Sequence, residues 1–370
     1  MSDWRYANPV RLVFGDNVID PLTRIMKGHE GSSVLLVSYD WFRETDVYHI
    51  LENRIEGMSG FFDIEDNPSF ESCQRAVDFA LDVSPDVIIA IGGGSVIDTA
   101  KAVRAALSKN CRDIRALFGH ADSRKPKALF IAAPTTHGTG SEVTPWATIW
   151  DKSNKTKHSL SDHGYFPDYA VYCPALMAKL PLSIALSSTL DALSHAFEAI
   201  WNKNRNPIST QYAMKAVVLI VSHLKELNER VAADVREHLV VASMFSGLAF
   251  SNTQTAAAHA ISYPLSSYFN IPHGIACALP LYPLLKINEK AIRSELKDLF
   301  DRLRIKSIDE LWSRILDGIK GKVSLSLSGA GVGKGDIDWL ADLSLAQSRM
   351  NNNVVELSQD DVRGILEMIL

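Results

Sequence analysis

The chain has 370 residues, enough for a large core and for two domains at roughly 100 to 200 residues each. Its 38 Lys+Arg against 43 Asp+Glu leave a formal net charge of -5, without the basic excess that nucleic-acid binding requires. The longest apolar runs, VIIAI and AVVLIV, fall well short of the about 18 residues of a membrane span, so neither a membrane nor a nucleic acid is expected as partner.

The N-terminus MSDWRYANPVRL lacks the basic and apolar regions of a secretory signal. Cys73, Cys111, Cys173 and Cys277 form no CxxC pair and read as ordinary thiols of a reducing compartment. A soluble, cytoplasmic enzyme is expected.

From about residue 33 to 180, apolar β-rich runs alternate with helical patterns. Strands are predicted at Val34 to Ser38, Asp86 to Ile91 and Ala128 to Ala132, and helices at Phe70 to Leu81 and Val96 to Leu107. Almost continuously apolar strands belong to a parallel sheet covered on both faces, in which ligands bind at the strand C-terminal ends. After Pro181, three long segments read as helices: LSIALSSTLDALSHAFEAIW, STQYAMKAVVLIVSHLKELNERV and DVREHLVVASMFSGLAF. No convincing strand follows. The expected architecture is an α/β nucleotide-binding domain, 1–178, followed by an all-helical domain, 179–370. SLSLSGAGVGKG at 324–335 reads as a flexible surface loop.

Two glycine-rich loops follow predicted strands. In IGGGSVIDTAK, Gly92, Gly93 and Gly94 can take positive φ and bring the backbone close to a ligand, while the free N–H groups of the helix start attract an anion. A purely steric use of glycine in a tight turn is the competing reading. The second loop, PTTHGTGSE, offers hydroxyls at Thr135, Thr136, Thr139 and Ser141 to phosphate or ribose oxygens. Together the loops point to a nucleotide along one sheet edge.

A third pattern lies in the helical half: Asp191 and His195 in DALSHAFEA, His259 in AAHAISYP and His273 in IPHG. One carboxylate and three imidazoles suit Fe(II) or Zn(II) better than calcium or magnesium. Asp191 and His195 are i and i+4 on one helix face, within a polar stripe that includes Ser194 and Glu198 and opposes an apolar stripe of Leu190, Leu193, Phe197, Ile200 and Trp201. A solvated polar face is the alternative.

NPVRLVFGDN, GGGSVIDTAK, TTHGTGSE, DALSHAFEA and IPHGIACALP, in this order and spacing, resemble the iron-containing (group III) alcohol dehydrogenase family over nearly the whole chain. The resemblance implies an α/β nucleotide-binding domain, an all-helical metal-binding domain, an active site in the cleft between them, and often a dimeric or larger homo-oligomer. It implies Fe(II), with Zn(II) as alternative, on Asp191, His195, His259 and His273. It assigns the pyrophosphate loop to Gly92, Gly93, Gly94 and Ser95, with Asp98 following, and further NAD(P)H contacts to Thr135, Thr139, Thr148, Lys157 and Leu176. The implied reaction is hydride transfer between the nicotinamide and a small aldehyde or alcohol, with the metal as Lewis acid.

The sequence departs from the family pattern at three places. Tyr263 stands where many relatives carry a second His one turn after the third ligand; it is the candidate proton relay, or a packed aromatic before a helix-ending Pro264. After the first strand of the alternating region, where many relatives place Asp, stand Ser38 and Tyr39, with Asp40 one residue later, which leaves NADH and NADPH both open. His137 replaces the usual Ala, to meet phosphate or to face solvent. Thr253, Thr255 and Tyr263 in SNTQTAAAHAISYPLSSYFNIPHG resemble the phosphonoacetaldehyde reductase branch; an anionic head group requires a cation or several donors opposite the metal, for which Arg205 in NKNRNP, with these hydroxyls, is the candidate, a solvated loop residue being its other reading. The alternatives are a general reductase of small neutral aldehydes, a dehydroquinate synthase-like lyase, and a non-catalytic nucleotide- or metal-binding protein.

Overall fold

The computed structural model describes residues 3–118 and 128–370. It resolves two compact units: residues 9–136 with 141–179, and residues 180–370 with 137–140 and the N-terminal residues up to Asn8.

In the α/β unit, β1 (Arg11–Phe14), β2 (Val34–Ser38), β3 (Met58–Phe61), β4 (Val87–Gly92) and β5 (Leu129–Pro134) are sheet strands. β6 (Trp146–Asp151) and β7 (Thr156–Ser161) form an antiparallel hairpin, and β8 (Tyr169–Tyr172) returns to the sheet. The order is β1-β8-β5-β4-β2-β3, parallel throughout. Helices α1 (Ile19–Met26), α2 (Asp46–Arg54), α3 (Phe70–Val83) and α4 (Gly94–Lys109) connect the strands up to β5. β2 and β4 are buried along their whole length. Leu35, Val37, Ile88 and Ala90 enter one core, and Val34, Leu36, Val87 and Ile89 the other, so both sheet faces are covered as continuously apolar strands demand.

The predicted strands and helices of this half are present, with ends moved by at most two residues. α3 begins at a capping box, in which Ser69 and Ser72 satisfy each other's backbone, and closes on Ser84 at φ 48. β2 runs to β3 on one side of itself and β4 lies on its other side, so the strand order reverses between β2 and β4. Their C-terminal ends, at Ser38 and Gly92, flank that switch point, where open α/β sheets bind ligands.

The second unit is helical: α5 (Leu182–Ile200), α6 (Pro207–His223), α7 (Ala233–Thr253), α8 (Ala257–Phe269), α9 (His273–Ala278), α10 (Leu281–Asn288), α11 (Arg293–Leu303), α12 (Ile308–Ile319), α13 (Ile337–Leu345) and α14 (Gln359–Met368). α6 starts with Asn206 as N-cap in a capping box with Ser209 and a proline in its first turn. Its predicted extension to residue 231 stops at His223, followed by a 3-10 turn, Leu224–Glu226. Among the described residues no helix is long and apolar enough to cross a membrane.

Three expectations change here. α5 is not amphipathic against solvent: Asp191, Ser194, His195 and Glu198 are as buried as Leu190 and Leu193. Pro264 does not end its helix, since α8 continues through it to Phe269, with Ile261 and Leu265 buried on either side. The segment 324–335 is no simple surface loop, because Leu327 and Val332 enter the helical core and the Leu327 and Ser328 N–H groups donate to Ile369 O and Leu370 O.

Candidate functional site

α5 carries Asp191 and His195 one turn apart, and the polar stripe of the sequence becomes a polar interior. Asp191 Oδ1 lies 3.5 Å from His259 Nε2, 3.8 Å from His273 Nε2 and 3.9 Å from His195 Nδ1. The His195 ring stacks on Phe250 at 3.9 Å and on His259 at 4.4 Å. The four residues named from the sequence thus lie together. Potential ligand atoms of Asp191, His259, His273 and Cys277 all fall within 4.8 Å of one another, and Cys277 was not among the sequence candidates.

The donor set fits a metal on an observation independent of that spacing. Asp191 Oδ1, His195 Nδ1 and His259 Nε2 are buried and make no hydrogen bond. Leaving such groups unpaired in a protein interior costs on the order of 1–3 kcal/mol each, and more for a charged one, unless something compensates them. A divalent first-row cation would satisfy all three, and carboxylate with imidazole is the chemistry such ions prefer. Burial alone would raise the Asp191 pKa, but His195, His259 and His273 outweigh it and hold the carboxyl below its usual range. Burial lowers His195 to about 4, so its imidazole is neutral and able to act as a ligand.

Glu198 is the residue the sequence named only as part of a stripe. Its carboxylate accepts from His259 Nδ1 at 2.6 Å and from the His259 backbone N–H at 3.0 Å. With Nδ1 so engaged, Nε2 is the nitrogen left to face Asp191, the outer arrangement typical of metal-bound histidines. Its position seven residues after Asp191 on the same helix was the available signal. Gly274 makes a close approach possible: a Cβ there would lie 1.8 Å from Ser187 O and 3.0 Å from Asp191 Cβ. The His-Gly pair therefore brings α9 against α5 next to the ligand candidates.

In the α/β unit, Gly93 is the N-cap of α4 and no side chain caps that helix end, so its first amides point to the loop. Positive φ is not what the glycines provide, since none of Gly92, Gly93 and Gly94 takes it. Space is: a Cβ on Gly92 would meet the Val96 side chain at 2.4 Å, and one on Gly93 would crowd Thr136 at 3.3 Å. Ser95 Oγ accepts from the Asn67 N–H at 3.2 Å. Asp98 is spent on structure. It accepts from Ser141 Oγ at 2.5 Å and from the Thr148 N–H at 2.8 Å, which ties the second loop and the β6–β7 hairpin to α4. Beside it, fully buried Lys101 donates to Ser141 Oγ, Thr144 Oγ1 and Trp146 O at 2.8, 3.2 and 2.7 Å. Desolvation lowers its pKa to about 8 despite Asp98 and Glu142.

Of the remaining candidates, Thr135 is buried and its N–H donates to Gly92 O. Thr139 lies in 137–140, which belongs to the helical unit. Lys157 sits on β7 with its ammonium 4.3 Å from the Trp150 ring, and Leu176 is half-buried against the sheet core. Ser38 donates to Ile91 O at 2.7 Å, and Tyr39 to Asp66 at 3.1 Å. Tyr39, Asp40, Trp41, Phe62, Asp63 and Ile64 line a groove at the ends of β2 and β3. His137 meets neither solvent nor phosphate as a cation: it is buried at the Ser188 and Thr189 hydroxyls, and desolvation lowers it to about 4. Arg205 is committed elsewhere, with Nε 3.4 Å from Glu295 and its other nitrogens donating to Asn202 O and Ala291 O. Tyr263 is stacked near His273, with ring centroids 6.3 Å apart, and burial raises its pKa.

Residues 9–174 match the family described as iron-containing alcohol dehydrogenase, and residues 185–370 match its C-terminal domain. The chain belongs to the iron-containing alcohol dehydrogenase family. It is 29% identical over 320 residues, 83% of this chain and 82% of the relative, to the NADPH-dependent butanol dehydrogenase of Clostridium saccharobutylicum. It is 36% identical over 214 residues, 56% of this chain and 54% of the relative, to the phosphonoacetaldehyde reductase of Streptomyces viridochromogenes. The crystal structure of sulfoacetaldehyde reductase from Bifidobacterium kashiwanohense in complex with NAD+ is similar with a TM-score of 0.93 and 27% identity, covering 100% of this chain and 99% of that one. As a member of this family the chain is an oxidoreductase of the NAD(P)-linked alcohol and aldehyde class, which sets aside the lyase and the non-catalytic readings.

Proposed function

We propose that the protein reduces a small aldehyde bearing an oxyanion group, with phosphonoacetaldehyde to 2-hydroxyethylphosphonate as the first substrate to test. The supporting observation is Arg349. Its charge acts on the Tyr263 phenol, and its guanidinium donates to Gln254 Oε1. It replaces Arg205 as the expected anion anchor, since Arg205 is already neutralised by Glu295. The likeness to phosphonoacetaldehyde and sulfoacetaldehyde reductases supports the same class, because both names denote two-carbon aldehydes ending in an oxyanion.

In this reading Asp191, His195, His259 and His273 hold Fe(II), with Zn(II) as the alternative. When bound, the metal supplies Lewis acidity that stabilises negative charge on a carbonyl oxygen, and the nicotinamide supplies hydride. Glu198 orients His259. Tyr263, its pKa raised by burial, stays protonated and acts as a hydrogen-bond donor rather than as an ionising relay. The amides at the start of α4, with Gly92, Gly93, Gly94 and Ser95, cradle the pyrophosphate, and Asp98 holds Thr148 and the second loop in place for it. Asp40 and Asp63 line the groove beyond β2, where a carboxylate accepts a ribose hydroxyl and repels a 2′-phosphate, so NADH is the proposed cofactor. The four free cysteines suit a reducing cytoplasm, and a homodimer is the assembly proposed from the family resemblance.

The test is NADH and NADPH oxidation by protein reconstituted anaerobically with Fe(II), with phosphonoacetaldehyde against neutral aldehydes of similar size. A preference for the phosphonate that Arg349→Ala removes through KM supports the reading. Equal turnover of neutral aldehydes, indifferent to Arg349→Ala, overturns it in favour of a general reductase, as the butanol dehydrogenase relative would suit.

A further inference from the structure

We infer that Cys277 is a ligand of the bound metal, its thiolate joining the imidazole and carboxylate donors. The inference rests on the metal reading above and deepens it. Cys277 follows His273 by four residues on α9, so both side chains leave the same helix face, the one that Gly274 brings against α5. Its side chain is buried, and Sγ lies 3.7 Å from each ring nitrogen of His273. Sγ also falls within the 4.8 Å cluster that includes Asp191 and His259, a cluster that does not contain His195. Asp191 Oδ1 and His259 Nε2, the buried atoms without hydrogen bonds, face this same space.

Coordination forms an Sγ–metal bond and releases the thiol proton to solvent, with no change of oxidation state. A thiolate donor biases the site towards thiophilic ions, so Zn(II) and Co(II) gain over Fe(II) relative to a site built of carboxylate and imidazole alone. The other cysteines belong to the α/β unit: Cys73 in α3, Cys111 after α4 and Cys173 after β8. They supply an internal control.

The experiment is anaerobic titration of the metal-free full chain with Co(II), read by absorption. Visible d–d bands report binding, and an intense near-ultraviolet thiolate-to-Co(II) charge-transfer band reports sulfur ligation. Both are expected in the parent. Cys277→Ser should lose the near-ultraviolet band, keep visible bands and bind Zn(II) roughly 10–100-fold less tightly. Visible bands without the charge-transfer band in the parent, or a band that survives Cys277→Ser, overturn the assignment while the metal reading stands. Absence of any Co(II) spectrum removes both. If Cys277→Ser does not fold, X-ray absorption of the Zn(II)-loaded parent decides: a sulfur shell at about 2.3 Å supports the ligand, and a shell of only N and O at about 2.0–2.2 Å overturns it.

Discussion

The glycine loop of the α/β unit and the Asp191–histidine cluster of the helical unit treat their buried polar groups in opposite ways. Around the loop, Asp98, Lys101, Ser141 and Thr144 are joined into one hydrogen-bonded network that holds the strand-to-helix turn and the hairpin together. In the cluster, Asp191 Oδ1, His195 Nδ1 and His259 Nε2 have no such partner. The first arrangement is complete as protein; the second leaves polar atoms that a bound cation would satisfy. Local order thus comes from internal hydrogen bonds in one unit, and from packing around an unsatisfied centre in the other.

Perturbing the cluster should therefore cost most. Asp191→Ala removes the carboxylate on which the histidines converge, and metal retention should be lost together with at least about a thousandfold in kcat/KM. Metal analysis alongside kinetics checks this; full activity in a metal-free variant breaks the comparison at its root.

Acid should act on the helical unit through His137. Its pKa falls from 6.5 to about 4 on burial, so the unfolded chain binds more protons than the native one between those values. The neutral form is the one the fold accommodates. Stability is therefore full above the unfolded pKa and declines as pH falls towards 4, by up to about 3 kcal/mol from this group. Denaturant melts of the parent and His137→Gln between pH 7 and pH 4.5 measure it, and equal pH dependence in both would refute the contribution.

Glu198→Gln keeps the size of the group that orients His259 but removes its charge, and should weaken metal binding roughly 10–100-fold while the fold persists. Competition with a calibrated chelator reads the effect; unchanged affinity would make Glu198 merely a packed carboxylate. The smallest effect is expected in the loop. Gly92→Ala forces Val96 away at the start of α4 and should raise the KM for NADH about tenfold without altering bound metal. Loss of metal in that variant would show that the two regions are not separable in this way.

Much of the α/β half was legible because covered parallel strands must be apolar throughout: VLLVS and VIIAIG announce themselves. β1, β3, β6, β7 and β8 did not; MSGF in β3 is short, and TKHSLS in β7 is largely exposed and polar. The ligand candidates were legible by residue type and by the family motifs around them. Glu198 was not, because a glutamate on a helix looks the same whether solvated or bonded to a histidine. Pro264 misled for a related reason: a proline costs a helix one hydrogen bond, and buried neighbours on both sides can outweigh that loss.

By itself the sequence determined the fold class, the family, and the donor types, because periodicity and motif spacing are local and side-chain chemistry is carried by each residue alone. Only the tertiary structure decided that the polar stripe of α5 is interior, that Arg205 is neutralised while the charge of Arg349 acts on Tyr263, and that Cys277 stands among the ligand candidates. Those outcomes depend on which faces of distant helices meet, and burial and electrostatic partners come into being only when they do.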